Sequence, residues 1–120
     1  MLSKIWIPDR GDIIWIDFNP QVGREMKDVH PLLVLSPKSF NDKTRIVIGL
    51  PMTTAESNET NPFAVKFAGE KGKLSYVLAH QPKSFDWRLR DAKPHPWKKA
   101  PDDILILAGE VLNQIITIGE

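Results

Sequence analysis

The stretch Gly23-Arg24-Glu25-Met26-Lys27-Asp28-Val29-His30-Pro31, running straight into Leu32-Leu33-Val34-Leu35-Ser36-Pro37, decides how the rest of the chain is read. Four consecutive aliphatics read as a buried strand, and the nine residues before them as a polar loop carrying one histidine. A rigid apolar strand fed by a charged loop is where proteins commonly mount reactive groups. This junction is therefore the first candidate site.

Outward from it, toward the N-terminus, Asp12-Ile13-Ile14-Trp15-Ile16-Asp17-Phe18 is rich in strand formers, between the turn Pro8-Asp9-Arg10-Gly11 and the stop Asn19-Pro20. The period of two puts Ile14, Ile16 and Phe18 on one face, with Trp15 and Asp17 on the other. Toward the C-terminus, Pro37 to Lys43 reads as a connector and Arg45 to Leu50 as a third strand, with Pro51 marking an edge, a bulge or the strand's exit. Ala55 to Pro62 is a polar surface loop. Phe63–Phe67 and Ser75–Ala79 flank Gly69-Glu70-Lys71-Gly72-Lys73 as in a long-looped hairpin. Lys83 to Arg90 is a short element of undecided type, and Pro94 and Pro96 exclude a long helix over Ala92 to Ala100.

The last segment differs in kind. Pro101 suits a first helical position, and Asp102 and Asp103 complement the helix dipole. Ile104, Leu107, Ala108, Val111, Ile115 and Ile118 form one apolar stripe, with Gly119 as a C-terminal cap. Short strands followed by one amphipathic helix predict a mainly β fold, a small, strongly curved antiparallel barrel with a C-terminal α-helix packed on it.

At 120 residues, with 42% hydrophobic and 26% charged residues, residues 1–120 read as one domain with a real core. There is no cysteine, which excludes disulfide and thiolate-metal frameworks. No apolar run reaches the ~20 residues of a membrane helix, and the first residues lack a secretory apolar region, so no membrane association and a cytoplasmic location are expected. The net charge of +1 conceals an asymmetry. Lys83, Arg88, Arg90, Lys93, Lys98 and Lys99 crowd one segment that also holds Trp87 and Trp97, while no lysine or arginine follows Pro101. Such a segment can track a phosphate backbone and stack bases, although a solvated lysine-rich loop accounts for the charge equally simply.

No phosphate-binding glycine loop, His-Glu-x-x-His motif or nucleophile elbow is present, and His30, His80 and His95 lack metal-ligand spacing. What remains are polar groups at strand ends: Glu25 and His30, Thr53 and Thr54, His80 and Gln81. Each has an ordinary structural explanation alone. Together they are an inventory for acid–base chemistry without a metal or other cofactor.

Four ordered blocks carry a resemblance that covers nearly the whole chain. Pro8 to Pro20, Gly23-Arg24-Glu25 with His30 to Pro37, Leu50-Pro51-Met52-Thr53-Thr54, and Gln81-Pro82-Lys83-Ser84-Phe85-Asp86-Trp87-Arg88 resemble the MazF/PemK (Kid) toxins of type II toxin–antitoxin systems. The resemblance implies an SH3-like β-barrel and a homodimer. It implies ribosome-independent, sequence-specific cleavage of single-stranded RNA, with the 2′-hydroxyl attacking the adjacent phosphate to leave a 2′,3′-cyclic phosphate and a 5′-hydroxyl. It also implies neutralisation by a cognate antitoxin of the MazE/PemI kind.

Position by position, Thr53 matches the family's active-site threonine and Glu25 its loop glutamate. His30 stands where well-studied members have arginine, and His80 where they commonly have aspartate. Leu78 occupies a position that is arginine in one PemK-type member. The expectation is that His30 and His80 form an acid–base pair, Thr53 donates to a phosphate oxygen, and Glu25 orients or charge-stabilises an imidazole. Arg24, Lys27, Thr54, Gln81, Lys83, Trp87 and Arg88 are the candidate RNA contacts, with core packing the competing role for Trp87. The rival readings are a non-catalytic gyrase-directed toxin of the CcdB kind, which shares the fold, and an inactive RNA-binding relative.

Overall fold

A computed structural model of the chain describes residues 5–19 and 28–117. The strands are β1 (Asp12–Asp17), β2 (Val29–Val34), β3 (Ile46–Thr53), β4 (Ala64–Ala68), β5 (Leu74–Leu78), β6 (Lys83–Asp86) and β7 (Lys93–Lys99). The helices are α1 (Lys38–Thr44) and α2 (Asp102–Ile115), with short 3-10 turns at Glu56–Thr60 and Glu70–Gly72. The strands form one curled antiparallel sheet in the order β4-β5-β3-β2-β1-β7, with β6 pairing β3 beside β5. This is the curved antiparallel barrel with a C-terminal helix that the sequence pattern predicts.

The apolar run of β2 does not alternate because both faces of the sheet are covered. Ile13, Leu33, Leu50, Met52, Val65, Phe67 and Val77 meet Ile104 and Ala108 of α2 on one face. Ile14, Ile16, Phe18, Leu32, Val34 and Val47 meet Phe85 and Trp87 on the other. Each fully buried aliphatic side chain contributes roughly 1.5–3 kcal/mol, so these paired clusters are the main source of stability.

Several boundaries differ from the sequence reading. The second strand starts at Val29 rather than Leu32, which makes His30 a strand residue and not a loop residue. The third continues through Pro51 to Thr53. Its outer edge pairs with β6 up to Gly49↔Lys83 and with β5 from Met52↔Val77, so Pro51 falls in the gap where no ladder donor is needed.

Pro37 to Lys43, read as a connector, is mostly helix α1. The reason is Asn41, which is fully buried and donates from Nδ2 to the carbonyls of Pro8 (2.8 Å) and Ser36 (3.0 Å). Its own backbone carbonyl accepts the Trp87 indole N–H at 2.8 Å. The undecided element at Lys83 is strand β6. The proline-rich segment is strand β7, tolerated because it ends the strand order and has a ladder partner on one side only.

Helix α2 has Pro101 as its N-cap rather than its first helical residue. Its buried face overlaps the predicted stripe at Ile104, Ala108 and Val111 but is rotated toward Leu105 and Leu112. Ile104, Leu105, Ala108, Val111 and Leu112 pack inward, whereas Leu107 and Ile115 are exposed. Ile118 and Gly119 lie outside the described residues.

The two ends of the strand order meet through side chains. Trp97 of β7 stands edge-on to Phe67 of β4, with ring centroids 6.0 Å apart. It lies over Gly69, whose missing side chain makes room for the indole. This contact draws the sheet's edges together and forms one wall of the site described next.

Candidate active site

A cavity of about 350 Å³ opens where these strands converge. Trp15 of β1, His30 and Pro31 of β2, and Met52, Thr53 and Thr54 at the end of β3 line it on one side. Lys73 and Ser75 at the start of β5, with His95, Pro96 and Trp97 of β7, line the other. Its size is at the lower end of small-ligand clefts, about 300–1,000 Å³.

Strand register assembles the centre. In β1–β2 pairing His30 is opposite Ile16. The β2–β3 register runs Leu32↔Pro51, Leu33↔Leu50 and Val34↔Gly49. His30 lies two residues before the Leu32↔Pro51 pair on β2, and Thr53 two residues after it on β3. Thr53 is in turn opposite Tyr76 of β5. Histidine and threonine are brought to one cavity from the ends of two separate hydrophobic strands.

His30 is half-buried, and its ring stands edge-on to Phe18 at 5.9 Å. The loop before it is tied at both ends. Asn19 Nδ2 donates to Asp28 Oδ1 (3.3 Å), the Asp28 N–H donates to Asn19 Oδ1 (3.0 Å), and the Phe18 N–H donates to the Asp28 carbonyl (2.9 Å). Arg90 reinforces this clasp from Nη1, donating to the carbonyls of Asp17 (3.0 Å) and Asn19. Arg24, Glu25 and Lys27 lie outside the described residues.

Thr53 Oγ1 accepts the Ala55 N–H at 3.1 Å. A hydroxyl that accepts still carries its own proton, so Thr53 can donate into the cavity. Behind it, Glu59 takes hydrogen bonds from Lys66 (2.7 Å) and Tyr76, which hold its carboxyl below the usual range and raise the Tyr76 hydroxyl. Thr54 is exposed at the rim.

The other sequence candidates lie elsewhere. His30 lines the cavity, and His80 is not among its lining residues. The chain turns back after β5 through a hydrogen bond from the Gln81 N–H to the Leu78 carbonyl. That turn carries His80 outward, 6.0 Å from the Phe63 ring and with Nε2 3.2 Å from Gln81 Nε2. Lys83 sits in β6 opposite Gly49. Trp87 is only 5% exposed, in its packing role, and is closed to base stacking. Arg88 is exposed over the Trp87 ring at 5.4 Å.

The histidine that does share the cavity is His95, which the sequence offers only as one of three scattered histidines. It is 8% exposed. Its ring lies 4.6 Å from Trp15 and 5.0 Å from Trp97. Burial, and secondarily the charge of Lys73, push its pKa below the ordinary histidine value of 6.5. Nδ1 accepts the Trp97 backbone N–H at 3.1 Å, so the neutral ring carries its proton on Nε2. The sequence signal was Trp15 facing away from Ile14 and Ile16. An aromatic on the polar side of a strand asks for a partner across the ladder.

The curled half-barrel, its C-terminal helix and the aromatic-lined cavity at its strand ends define a small SH3-like β fold. Residues 9–116 match the PemK-like, MazF-like toxins of type II toxin–antitoxin systems, and the chain belongs to that family. It is 36% identical over 114 residues to the endoribonuclease toxin MazF of Escherichia coli K12, covering 92% of this chain and 96% of that relative. It is 30% identical over 112 residues to the endoribonuclease PemK of Escherichia coli, covering 92% and 80%. Among solved structures, MazF (Form-I) of Deinococcus radiodurans superposes with a TM-score of 0.85 at 32% identity, covering 95% of this chain and all of that one. A MazE–MazF complex (Form-II) from the same organism matches at 0.77 and 29%, covering 96% of this chain.

Proposed function

We propose that this chain is an endoribonuclease toxin that cuts single-stranded RNA by attack of a 2′-hydroxyl on the adjacent phosphorus. The new O–P bond closes a 2′,3′-cyclic phosphate, and the 5′-oxygen leaves as a hydroxyl. The observation that carries this reading is His30 and Thr53 lining one cavity of nucleotide size. Family membership and relatives named as endoribonucleases support it.

The reaction needs a base for the 2′ proton, a donor for the departing 5′-oxygen and positive charge beside the phosphate. His30 exchanges a proton with one reacting oxygen, and the Thr53 hydroxyl donates to a non-bridging oxygen. Glu25 orients or charge-stabilises the His30 imidazole. His80 and Gln81 hold the flanking strand from the neighbouring turn rather than acting on the same phosphate as His30. Thr54, Lys83 and Arg88, with Arg24 and Lys27 of the loop, supply phosphate contacts. Solvent water exchanges the proton at the second reacting oxygen, and the scheme gives no step to a metal or other cofactor.

The protein works as a cytoplasmic homodimer restrained by a MazE/PemI-like antitoxin, in keeping with the MazE–MazF complexes among its structural relatives. Incubating the purified protein with a long unstructured RNA and a chelator tests the activity. Discrete fragments with 5′-hydroxyl and cyclic-phosphate ends are expected. RNA left intact, together with poisoned gyrase in a supercoiling assay, would move the chain to the gyrase-directed class.

A further inference from the structure

The cavity holds more aromatic surface than phosphate chemistry uses. Trp15 and Trp97 are both half-buried, with part of each ring outside the core. Between them sits the nearly buried His95 ring, its Nδ1 engaged by the Trp97 backbone. Lys73 is exposed on the same lining. We propose that Trp15, His95 and Trp97 form a recognition subsite for one unpaired nucleobase of the RNA, stacked on the indoles and hydrogen-bonded at one acceptor by His95 Nε2–H. The proposal rests on the ribonuclease reading above and adds the residue that selects sequence.

The chemistry favours a base over other ligands. Unpaired bases are bound by stacking on aromatic faces and are identified by hydrogen bonds at their edges. A histidine whose Nδ1 is occupied by a backbone N–H, and whose burial disfavours the cation, is a neutral donor at Nε2. It cannot turn into an acceptor without breaking the Trp97 contact. A base that presents its own donor at that point therefore leaves two donors facing each other, which is how a buried polar contact discriminates most sharply. Lys73 places a cation on the lining where the nucleotide's phosphate would lie, as a stacked base with its backbone requires. The wall is also preorganised, since Gly69 and Phe67 seat Trp97 and the ladder Trp15↔Lys93 positions β7 against β1.

The same tautomer argument separates His95 from His30. With Nδ1 occupied and Nε2 protonated, His95 has no lone pair for a 2′-hydroxyl proton. Its role is to read, not to transfer.

The test uses short single-stranded 2′-deoxy oligonucleotides, which lack the attacking hydroxyl, with A, C, G or T varied at one position at a time. Binding is followed by tryptophan fluorescence, and Trp15→Phe and Trp97→Phe assign the signal. Wild type should show quenching that both variants reduce, and a preference for one base at one position. His95→Phe, which keeps a ring but has no N–H donor, should lose that preference by about tenfold, equivalent to roughly 1.4 kcal/mol. His95→Gln, which can donate again, should restore part of it. Equal selectivity in wild type and His95→Phe, or quenching untouched by both tryptophan variants, overturns the subsite. Should His95→Phe fail to fold, the His95→Gln and tryptophan results decide alone. Base-selective binding by a protein that leaves RNA uncut would refute the ribonuclease reading and leave the subsite standing. Quenching by an antitoxin peptide but by no oligonucleotide would reassign the wall to that partner and refute the proposal.

Discussion

Replacing Gly69 by alanine puts the closure of the barrel to a quantitative test. A Cβ at this position would stand 2.5 and 2.7 Å from Trp97 Cζ2 and Cζ3, and nearer still to Cη2. Carbon atoms in ordinary contact are about 3.5–4.0 Å apart, so the indole must retreat by roughly 1 Å. It is a rigid ring already packed against Phe67, and cannot yield by bending. The backbone adds no strain, because Gly69 has φ −83°, which alanine adopts freely. Overpacking of this kind costs about 1–3 kcal/mol. Restricting the unfolded chain returns roughly 0.4–1 kcal/mol, which leaves a net loss of about 1–2 kcal/mol.

With a urea slope of about 1–3 kcal/mol per molar, the unfolding midpoint should fall by roughly 0.5–1 M. The near-ultraviolet circular dichroism of tryptophan should change with it. Cleavage should also weaken, because the displaced ring is a wall of the cavity. Gly72→Ala is the matched control in the same hairpin loop. Its φ is +73° with nothing near the new methyl, so it should lose about 1 kcal/mol through the backbone alone and leave the tryptophan signal intact. An unchanged or raised midpoint for Gly69→Ala, with an unaltered tryptophan spectrum, would show that Trp97 does not rest on this glycine and that the barrel is not closed there.

Further outcomes follow from other contacts. His30→Ala should lower the cleavage rate by about 10²–10⁴-fold in single-turnover assays, and His80→Ala by less than about tenfold, since His80 does not line the cavity. Equal losses would return the two histidines to one phosphate. Asn41→Ala orphans the Pro8 and Ser36 carbonyls and removes the Ser36 hydroxyl's shortest acceptor, so chemical denaturation should show about 3–5 kcal/mol lost. His95 has a folded pKa below its unfolded value of 6.5, so the unfolded chain binds its proton first as pH falls. Stability should therefore be full above about 6.5, decline as pH falls toward the lower folded value, and level off below it. Melting temperatures of His95→Phe should lack that decline.

The frame was legible where patterning and burial agree. Strands β1, β2 and β3 announced themselves through aliphatic runs, and the hairpin β4–β5 through its glycine-bearing loop. Helix α1 was hidden because its stability comes from one side chain, Asn41, bonding to Pro8 far earlier in the chain. Local propensity carries no trace of that contact. The strand around Pro94 and Pro96 was hidden for a related reason, because proline argues against a ladder until the segment is known to lie at an edge. The helix face was only partly placed because Ile106, Leu107 and Ile115 add exposed apolar residues beside the buried side, so spacing alone could not fix its centre.

For the site, His30 and Thr53 were recognisable from their motifs, and one cavity joins them. His95 was invisible by type and spacing. What makes it a site residue is the ladder that lays β7 beside Trp15, a relation between residues some eighty positions apart.

The prolines of β7 also bear on how the molecule behaves in company. Pro94 and Pro96 cannot supply amide donors, and Lys93, Lys98 and Lys99 charge the same strand. A bare strand edge is normally a template for another chain, and this one is poorly suited to that use. Copies of the protein should therefore not zip together along β7 at high concentration. An extended partner segment docking on this side must be held by its side chains, which makes the fit of individual residues, rather than generic strand addition, the determinant of who binds.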